Sequence, residues 1–424
     1  MEKILQILQE EFRALLGKTI NSNLRDYRFP QVKNLAKVAV GIRRSGKTYF
    51  LFQTMRELIS QDIPIDRLLY LNFEDDRLLP IDQKKMGEMI DALYTQQPAL
   101  HDHRCFLFLD EVQNVEGWPL VIRRLLDTKD IEIYITGSSA KLLSKEIATS
   151  LRGRSLSMEI QPYNFQEYLN SKGISLPSKP FGNKVLDKYR ALLLEFFQIG
   201  GFPGIQEFSP HERLETLQNY VEVVVFRDIV ERHKVSNIKL LKYFVNVLLK
   251  NVGTRFSINK LYKDITSQGY KAAKDTLYNY LEFLEDAFLI YTVPIFTESL
   301  RVSETTPKKI YAVDNGLINA NTFNLSLNYG KLLENLVYLD LRRQKKEIFY
   351  YSTSEGYEID FITKDQEGHY EMIQVVWDQT DLSTFEREER ALKSAEKELG
   401  IKGRIIDRES YLKSYGGLAH PTGL

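Results

Sequence analysis

The chain has 424 residues, 43% hydrophobic, 27% charged and 12% aromatic, a make-up that fits two or three globular domains and excludes a largely disordered chain. Fifty-seven basic residues balance 57 acidic ones, so the overall charge gives no general affinity for polyanions. The single cysteine, Cys105, rules out an internal disulfide framework and fits a reducing compartment.

The first residues mix Glu2, Glu10 and Glu11 with apolar positions, which is not the uninterrupted core of a signal peptide. Residues 1–30 are expected to form a helical N-terminal segment. No run of about 18 apolar residues follows anywhere, so no membrane span is expected and a cytoplasmic location is the default.

Residues 35–40 (Leu-Ala-Lys-Val-Ala-Val) read as a buried strand, and 49–59 carry apolar positions at helical spacing. Between them lies Gly41-Ile-Arg-Arg-Ser-Gly-Lys-Thr48, the phosphate-binding loop pattern in its strand–loop–helix context. The glycines let backbone amides wrap a polyphosphate, Lys47 supplies a charge for the outer phosphates, and the Thr48 hydroxyl can ligate Mg²⁺. Gly41, Ser45, Gly46, Lys47, Thr48 and Tyr49 are therefore expected at the nucleotide. Arg43 and Arg44 reach phosphate, a partner surface or solvent.

Residues 105–111 (Cys-Phe-Leu-Phe-Leu-Asp-Glu) read as a second buried parallel strand ending in two carboxylates, about 60 residues after the loop. Asp110 is expected to hold Mg²⁺, directly or through water, and Glu111 to polarise the water that attacks the γ-phosphate. Cys105, inside this apolar run, reads as a small core residue. A third strand, 131–136, ends in Gly137-Ser138-Ser139, and Thr136 and Ser138 are candidate γ-phosphate sensors.

Taken together, Gly41–Thr48, Asn72-Phe-Glu-Asp75, Asp110-Glu-Val-Gln113 with Trp118, Thr136-Gly-Ser-Ser139, Leu151-Arg-Gly-Arg154 and Gly200-Gly-Phe-Pro203 resemble the prokaryotic AAA+-like ATPases fused to a C-terminal domain of uncharacterised function. The resemblance covers nearly the whole chain. It implies ATP as the nucleotide and a doubly wound α/β core, here expected over 31–180. It also singles out Arg152 and Arg154 as arginine-finger candidates, acting in cis or on a neighbouring subunit of a homo-oligomer; the alternative is a solvated loop. Glu74 has similar standing.

Helical periodicity over 187–198 and 211–232 predicts a helical lid at 181–235, turning sharply at Gly200–Gly204. Residues 233–275 then hold nine Lys/Arg (Lys234, Lys239, Lys242, Lys250, Arg255, Lys260, Lys263, Lys271, Lys274) against Asp264 and Asp275. Helices at 239–250, 258–266 and 272–286 with a strand near 288–293 give winged helix-turn-helix order, expected over 236–300. Such a module contacts DNA through its basic face or contacts a protein partner.

The remainder, 301–424, is expected to be an α/β domain. A helix at 332–339 and strands at 347–352, 357–363 and 369–377 resemble the restriction-endonuclease-like fold. There a helix Glu, a strand Asp and a Glu/Gln-x-Lys build a Mg²⁺ site. Glu334, Asp360 and Gln374 take these positions, but Val376 stands where the lysine belongs and can neither orient water nor offset phosphate charge. The resemblance thus implies a catalytically inactive nuclease-like domain. A nucleotide-gated DNA-binding switch and an active Mg²⁺-dependent nuclease are the alternatives to a working ATPase.

Overall fold

The computed structural model describes residues 2–19, 23–138, 149–174, 182–269, 272–322, 328–378 and 382–418. They group into two compact units, Met1–Gln161 and Pro162–Leu424.

The first unit is built on five parallel strands: β1 (Ala36–Val40), β2 (Leu68–Asn72), β3 (Cys105–Asp110), β4 (Ile131–Gly137) and β5 (Ser155–Glu159), in the order β2-β3-β4-β1-β5. Strands covered by helices on both faces carry continuous apolar runs, and β1 and β3 are buried at every position. Helices α1 (Glu2–Lys18), α2 (Lys47–Ser60), α3 (Gln83–Gln96) and α4 (Trp118–Thr128) flank the sheet. The expected N-terminal helix belongs to the core: Phe12 stacks on Tyr70 at 5.2 Å between ring centres, beside Phe52 and Phe50. Cys105 is buried and its Sγ lies 3.4 Å from the Leu100 carbonyl, a packing role. In a parallel sheet all strand ends of one kind share an edge. The phosphate loop, Asp110 and Thr136 therefore lie together on the carboxyl edge.

The second unit begins with α5 (Phe165–Ser171), α6 (Asn183–Ile199) and α7 (Pro210–Val223), the last running on through wider turns over Val224–Val230. Next come α8 (Ile238–Lys250), β6 (Thr254–Phe256), α9 (Ile258–Ser267), α10 (Lys274–Asp286), β7 (Ile290–Val293), α11 (Leu300–Thr305) and β8 (Lys308–Ala312). The three strands form an antiparallel sheet in the order β6-β8-β7. After α12 (Asn315–Asn321) and α13 (Tyr329–Arg343), strands β9 (Glu347–Ser352), β10 (Glu358–Lys364) and β11 (Tyr370–Val375) run antiparallel. Helix α14 (Leu382–Leu399) then leads to β12 (Gly403–Ile406), parallel to β11, and α15 (Arg408–Leu418) ends the described chain.

Two expected boundaries move. The helices expected as a lid on the ATPase core pack inside the second unit, with α6 and α7 against α12. The division expected at 300/301 cuts through a sheet, because β8 pairs with both β6 and β7. Sequence could not place it, since the partner strand lies beyond α11. The Gly200-Gly201 turn also has a local explanation. Gly200 has φ +77°, a Cβ there would stand 2.1 Å from Asp314 Oδ1, and Gly201 N donates to Asp314 Oδ2 at 2.6 Å. Only glycine lets the turn close on the buried aspartate. Among the described residues no helix is long and apolar enough to cross a membrane.

Candidate nucleotide-binding site

The loop from β1 to α2 is shaped by close approach. Gly41 has φ +147°, and a Cβ on it would meet the Ile160 carbonyl oxygen at 2.2 Å, so a larger residue would push the loop off the sheet edge. Gly46 caps α2 in the left-handed region, φ 97°. Arg44 also has positive φ and an exposed side chain. Lys47 is buried: its Nζ donates to the carbonyls of Gly41 (3.0 Å) and Ile42 (3.2 Å) and lies 3.6 Å from Glu111 Oε1. Ser45 is buried and its Oγ has no hydrogen-bond partner among the described residues. Arg43 pairs with Glu74 at 2.7 Å, which ties two separately noted residues together. Tyr49 is half exposed and packs edge-on against Phe52.

Asp110 is the most constrained group. It is fully buried and accepts from three hydroxyls: Thr48 Oγ1 (2.8 Å), Tyr70 (2.9 Å) and Thr136 Oγ1. Burial and the neighbouring Glu111 charge push its carboxyl up, and the hydroxyls pull it back only in part. Glu111 has φ 52° and its N–H donates to Thr136 Oγ1 at 2.9 Å. Burial acts to raise its carboxyl too, but Lys47, Gln113 and Arg43 outweigh that, so it lies below the ordinary range and stays ionised. Gln113 Nε2 donates to Glu111 Oε2 at 2.5 Å and reaches Ser138 Oγ at 3.3 Å. Thr136 thus holds the Asp110 carboxylate and the Glu111 main chain, while the buried Ser138 stands behind Gln113.

A hydroxyl and a carboxylate at hydrogen-bond distance are a suitable protein donor set for Mg²⁺, which keeps several waters and takes its other ligands from phosphate. The unpartnered Ser45 hydroxyl and the glycine-lined loop fit a polyphosphate beside them.

Arg152 and Arg154 are elsewhere. In the β1–β5 register Ser155 lies opposite Ala36, at the start of β1, whereas the phosphate loop leaves the other end after Val40. Arg154 O accepts from Ala36 N at 2.9 Å and its guanidinium pairs with Asp127 at the end of α4. Arg152 is exposed with φ 52°. The finger expected in cis is therefore not brought to the chain's own loop; the strand length separates them.

Sequence reasoning missed Arg25. This buried guanidinium donates to the Ser45 carbonyl (2.6 Å) in the phosphate loop and the Gln161 carbonyl (2.6 Å) beyond β5. Its backbone N–H donates to Gln53 Oε1 on α2 at 2.7 Å. Tyr70 was missed too, although a tyrosine within a buried apolar strand must find a partner for its hydroxyl.

In the second unit, Lys242 pairs with Glu222 (2.6 Å) and Arg255 with Glu358 (2.8 Å), so two of the nine cations in 233–275 face acids from outside that stretch. Lys234, Lys239, Lys250, Lys260, Lys263 and Lys274 are exposed. Lys271 lies outside the described residues.

The constellation read as nuclease-like does assemble, with an addition. Lys309 Nζ on β8 is 2.8 Å from Glu334 Oε1, 2.9 Å from Asp360 Oδ1 and 3.0 Å from Glu358 Oε1. Gln374 is engaged elsewhere: its Oε1 accepts from Asp360 N (3.0 Å) and its Nε2 donates to Glu388 (2.6 Å). Burial and Asp360 push the Glu334 carboxyl up to about 7.

Comparison with known proteins adds the following. A family model described as an AAA domain matches residues 33–169. Two models described as domains of unknown function match 190–327 (DUF8612) and 329–412 (DUF4143). An uncharacterised protein of Methanocaldococcus jannaschii is 37% identical over 394 residues, spanning 92% of this chain and 84% of its own. One of Haemophilus influenzae is 32% identical over 332 residues, 77% of this chain and 79% of its own. Among solved structures, the Aeropyrum pernix ORC2 protein is 11% identical, with 78% of this chain and 92% of that one covered at a TM-score of 0.38. The Aeropyrum pernix ORC1 protein in complex with DNA is 14% identical, with 74% and 91% covered at a TM-score of 0.30.

Proposed function

Since the chain belongs to the family of prokaryotic AAA-domain proteins that end in a domain of unknown function, we propose that its first unit binds ATP with Mg²⁺ and hydrolyses it. The observation that carries the reading is the buried network in which Thr48, Tyr70 and Thr136 hold Asp110 while Glu111 stands ionised beside Lys47. The phosphate loop binds the β- and γ-phosphates through its amides and Lys47. Thr48 and Asp110 would hold Mg²⁺, which when bound offsets phosphate charge. Glu111, its carboxylate kept charged by Lys47 and Gln113, orients a water and draws on its proton. As the water oxygen bonds to the γ-phosphorus, the bond to the β,γ-bridging oxygen breaks, giving ADP and phosphate.

An arginine from 152–154 completes the site from a neighbouring subunit. Its place on the amino edge of the sheet supports this, because from there it meets a carboxyl edge only in another copy. The second unit reads nucleotide state. The order α8-β6-α9-α10-β7-α11-β8, with strands paired β6-β8-β7, supports a winged helix whose exposed lysines take DNA phosphate. The test is a pair of variants. Lys47→Ala should lose tight ATP binding by calorimetry while keeping its circular dichroism. Glu111→Gln should bind ATP normally and lose most single-turnover hydrolysis. Hydrolysis at the wild-type rate in Glu111→Gln would reduce Glu111 to a turn residue and end the mechanism.

A further inference from the structure

The acidic pocket of the C-terminal domain already contains a cation. Lys309 Nζ has three N–H donors, and three carboxylate oxygens stand at 2.8, 2.9 and 3.0 Å, one each from Glu334, Asp360 and Glu358. The lysine side chain is 1% exposed. Of the remaining oxygens, Asp360 Oδ2 accepts from Val375 N (2.9 Å) and Glu358 Oε2 from Arg255 Nε (2.8 Å), while Glu334 Oε1, already on Lys309, also accepts from the Tyr311 hydroxyl (2.6 Å). Three carboxylates are met by two fixed cations within hydrogen-bond distance. The cation and the acids come from different modules. Lys309 belongs to the three-stranded sheet and the segment matched over 190–327; Glu334, Glu358 and Asp360 belong to the four-stranded domain matched over 329–412.

We propose that Lys309 is the resident cation of this pocket: its ammonium occupies the place a divalent ion would take, excludes that ion, and rivets the three-stranded sheet to the four-stranded one. The lysine needed for water activation in a nuclease is absent at Val376, and the one present in space is committed to all three acids. A metal would have to displace a buried ammonium and leave it unpaired, a strongly unfavourable exchange. Among the described residues no three acids already stand at metal-binding spacing, but withdrawing the ammonium would leave these three carboxylates uncompensated and let them close in on Mn²⁺ or Mg²⁺.

The test is Mn²⁺ binding to the nucleotide-free full chain, followed by electron paramagnetic resonance, with Asp360→Asn as the control for sites elsewhere. The wild type should bind no Mn²⁺ that Asp360→Asn removes. Lys309→Ala, and Lys309→Met, which keeps the aliphatic stem, should gain an Asp360-dependent site at least about tenfold tighter than any in the wild type. Mn²⁺ should raise the melting temperature of these variants but not of Lys309→Ala/Asp360→Asn. Asp360-dependent Mn²⁺ binding by the wild type, or Asp360-dependent cleavage of DNA, would overturn the proposal and make Lys309 a working nuclease lysine. Folded Lys309 variants with no such site would overturn it as well. If neither variant folds, the wild-type comparison decides alone.

Discussion

Replacing Thr136 by Val keeps the shape of the side chain and removes one hydroxyl with two duties. That hydroxyl donates to the fully buried Asp110 and accepts from Glu111 N at 2.9 Å. A hydrogen bond to a charged group contributes roughly 1.5–3 kcal/mol, and a stranded buried N–H costs roughly 1–3 kcal/mol. Asp110 keeps Thr48 and Tyr70, which limits the loss. The expected destabilisation of the first unit is about 3 kcal/mol. Thr136→Ser keeps the hydroxyl, gives up one methyl and should lose about 1 kcal/mol. The chain has two tryptophans, Trp118 in the first unit and Trp377 in the second. In a Trp377→Phe background, urea unfolding followed by fluorescence therefore reports the first unit alone. If Thr136→Val shifts the midpoint no more than Thr136→Ser does, the hydroxyl does not hold Asp110 and the Glu111 main chain and the reasoning fails.

If the arginine finger acts between subunits, Glu111→Gln and Arg152→Ala/Arg154→Ala should each be nearly inactive alone yet recover ATP turnover when mixed; a mixture no better than the sum of its parts refutes this. Turnover per chain of the wild type should also rise with protein concentration. Lys260→Glu/Lys263→Glu/Lys274→Glu should weaken DNA binding and flatten the plot of log affinity against log salt by roughly two to three units, about 0.9 for each phosphate no longer neutralised; an unchanged slope points to a protein partner instead. Asp314 gives a pH signature. Burial pushes its carboxyl from 3.8 up to about 7, so the folded state holds a proton that the unfolded state releases. Its contribution is complete below pH 4 and disappears as pH rises toward 7, by at most about 4 kcal/mol. Asp314→Asn should flatten the fall in second-unit stability over that window, read from Trp377 emission in a Trp118→Phe background, and an unaltered slope refutes it.

The phosphate loop, Asp110 and Glu111 were legible because their chemistry is written in local spacing and in the apolar runs of buried parallel strands. Helix α2, the helices α6 to α10 and the strands β1, β3, β4, β7, β9, β10 and β11 were legible for the same reason of period, whereas α3, α4, β5, β6, β8 and β12 were not. Arg25 and Lys309 were not. Arg25 sits outside any regular element and meets its two carbonyl partners 20 and 136 residues away. Lys309 lies in a short strand whose sheet partners lie on either side of two helices, and its acids come from the next module. The place of Arg152 and Arg154, expected to act in cis, on a neighbouring subunit or as a solvated loop, was hidden for a related reason. Sequence shows that two arginines precede a strand, but only the register shows which end of the neighbouring strand they face.

Arg25 also bears on where this protein can be cut. The segment recognisable as an AAA domain starts at residue 33, and a truncation made there would look conservative. It would remove the guanidinium that closes onto Ser45 and Gln161, leaving two carbonyls dehydrated at the mouth of the phosphate loop. It would also strip Phe12 from its stack on Tyr70, the residue that steadies Asp110 from below. A fragment that keeps the phosphate loop and Asp110 as they stand therefore includes the leading helix and Arg25.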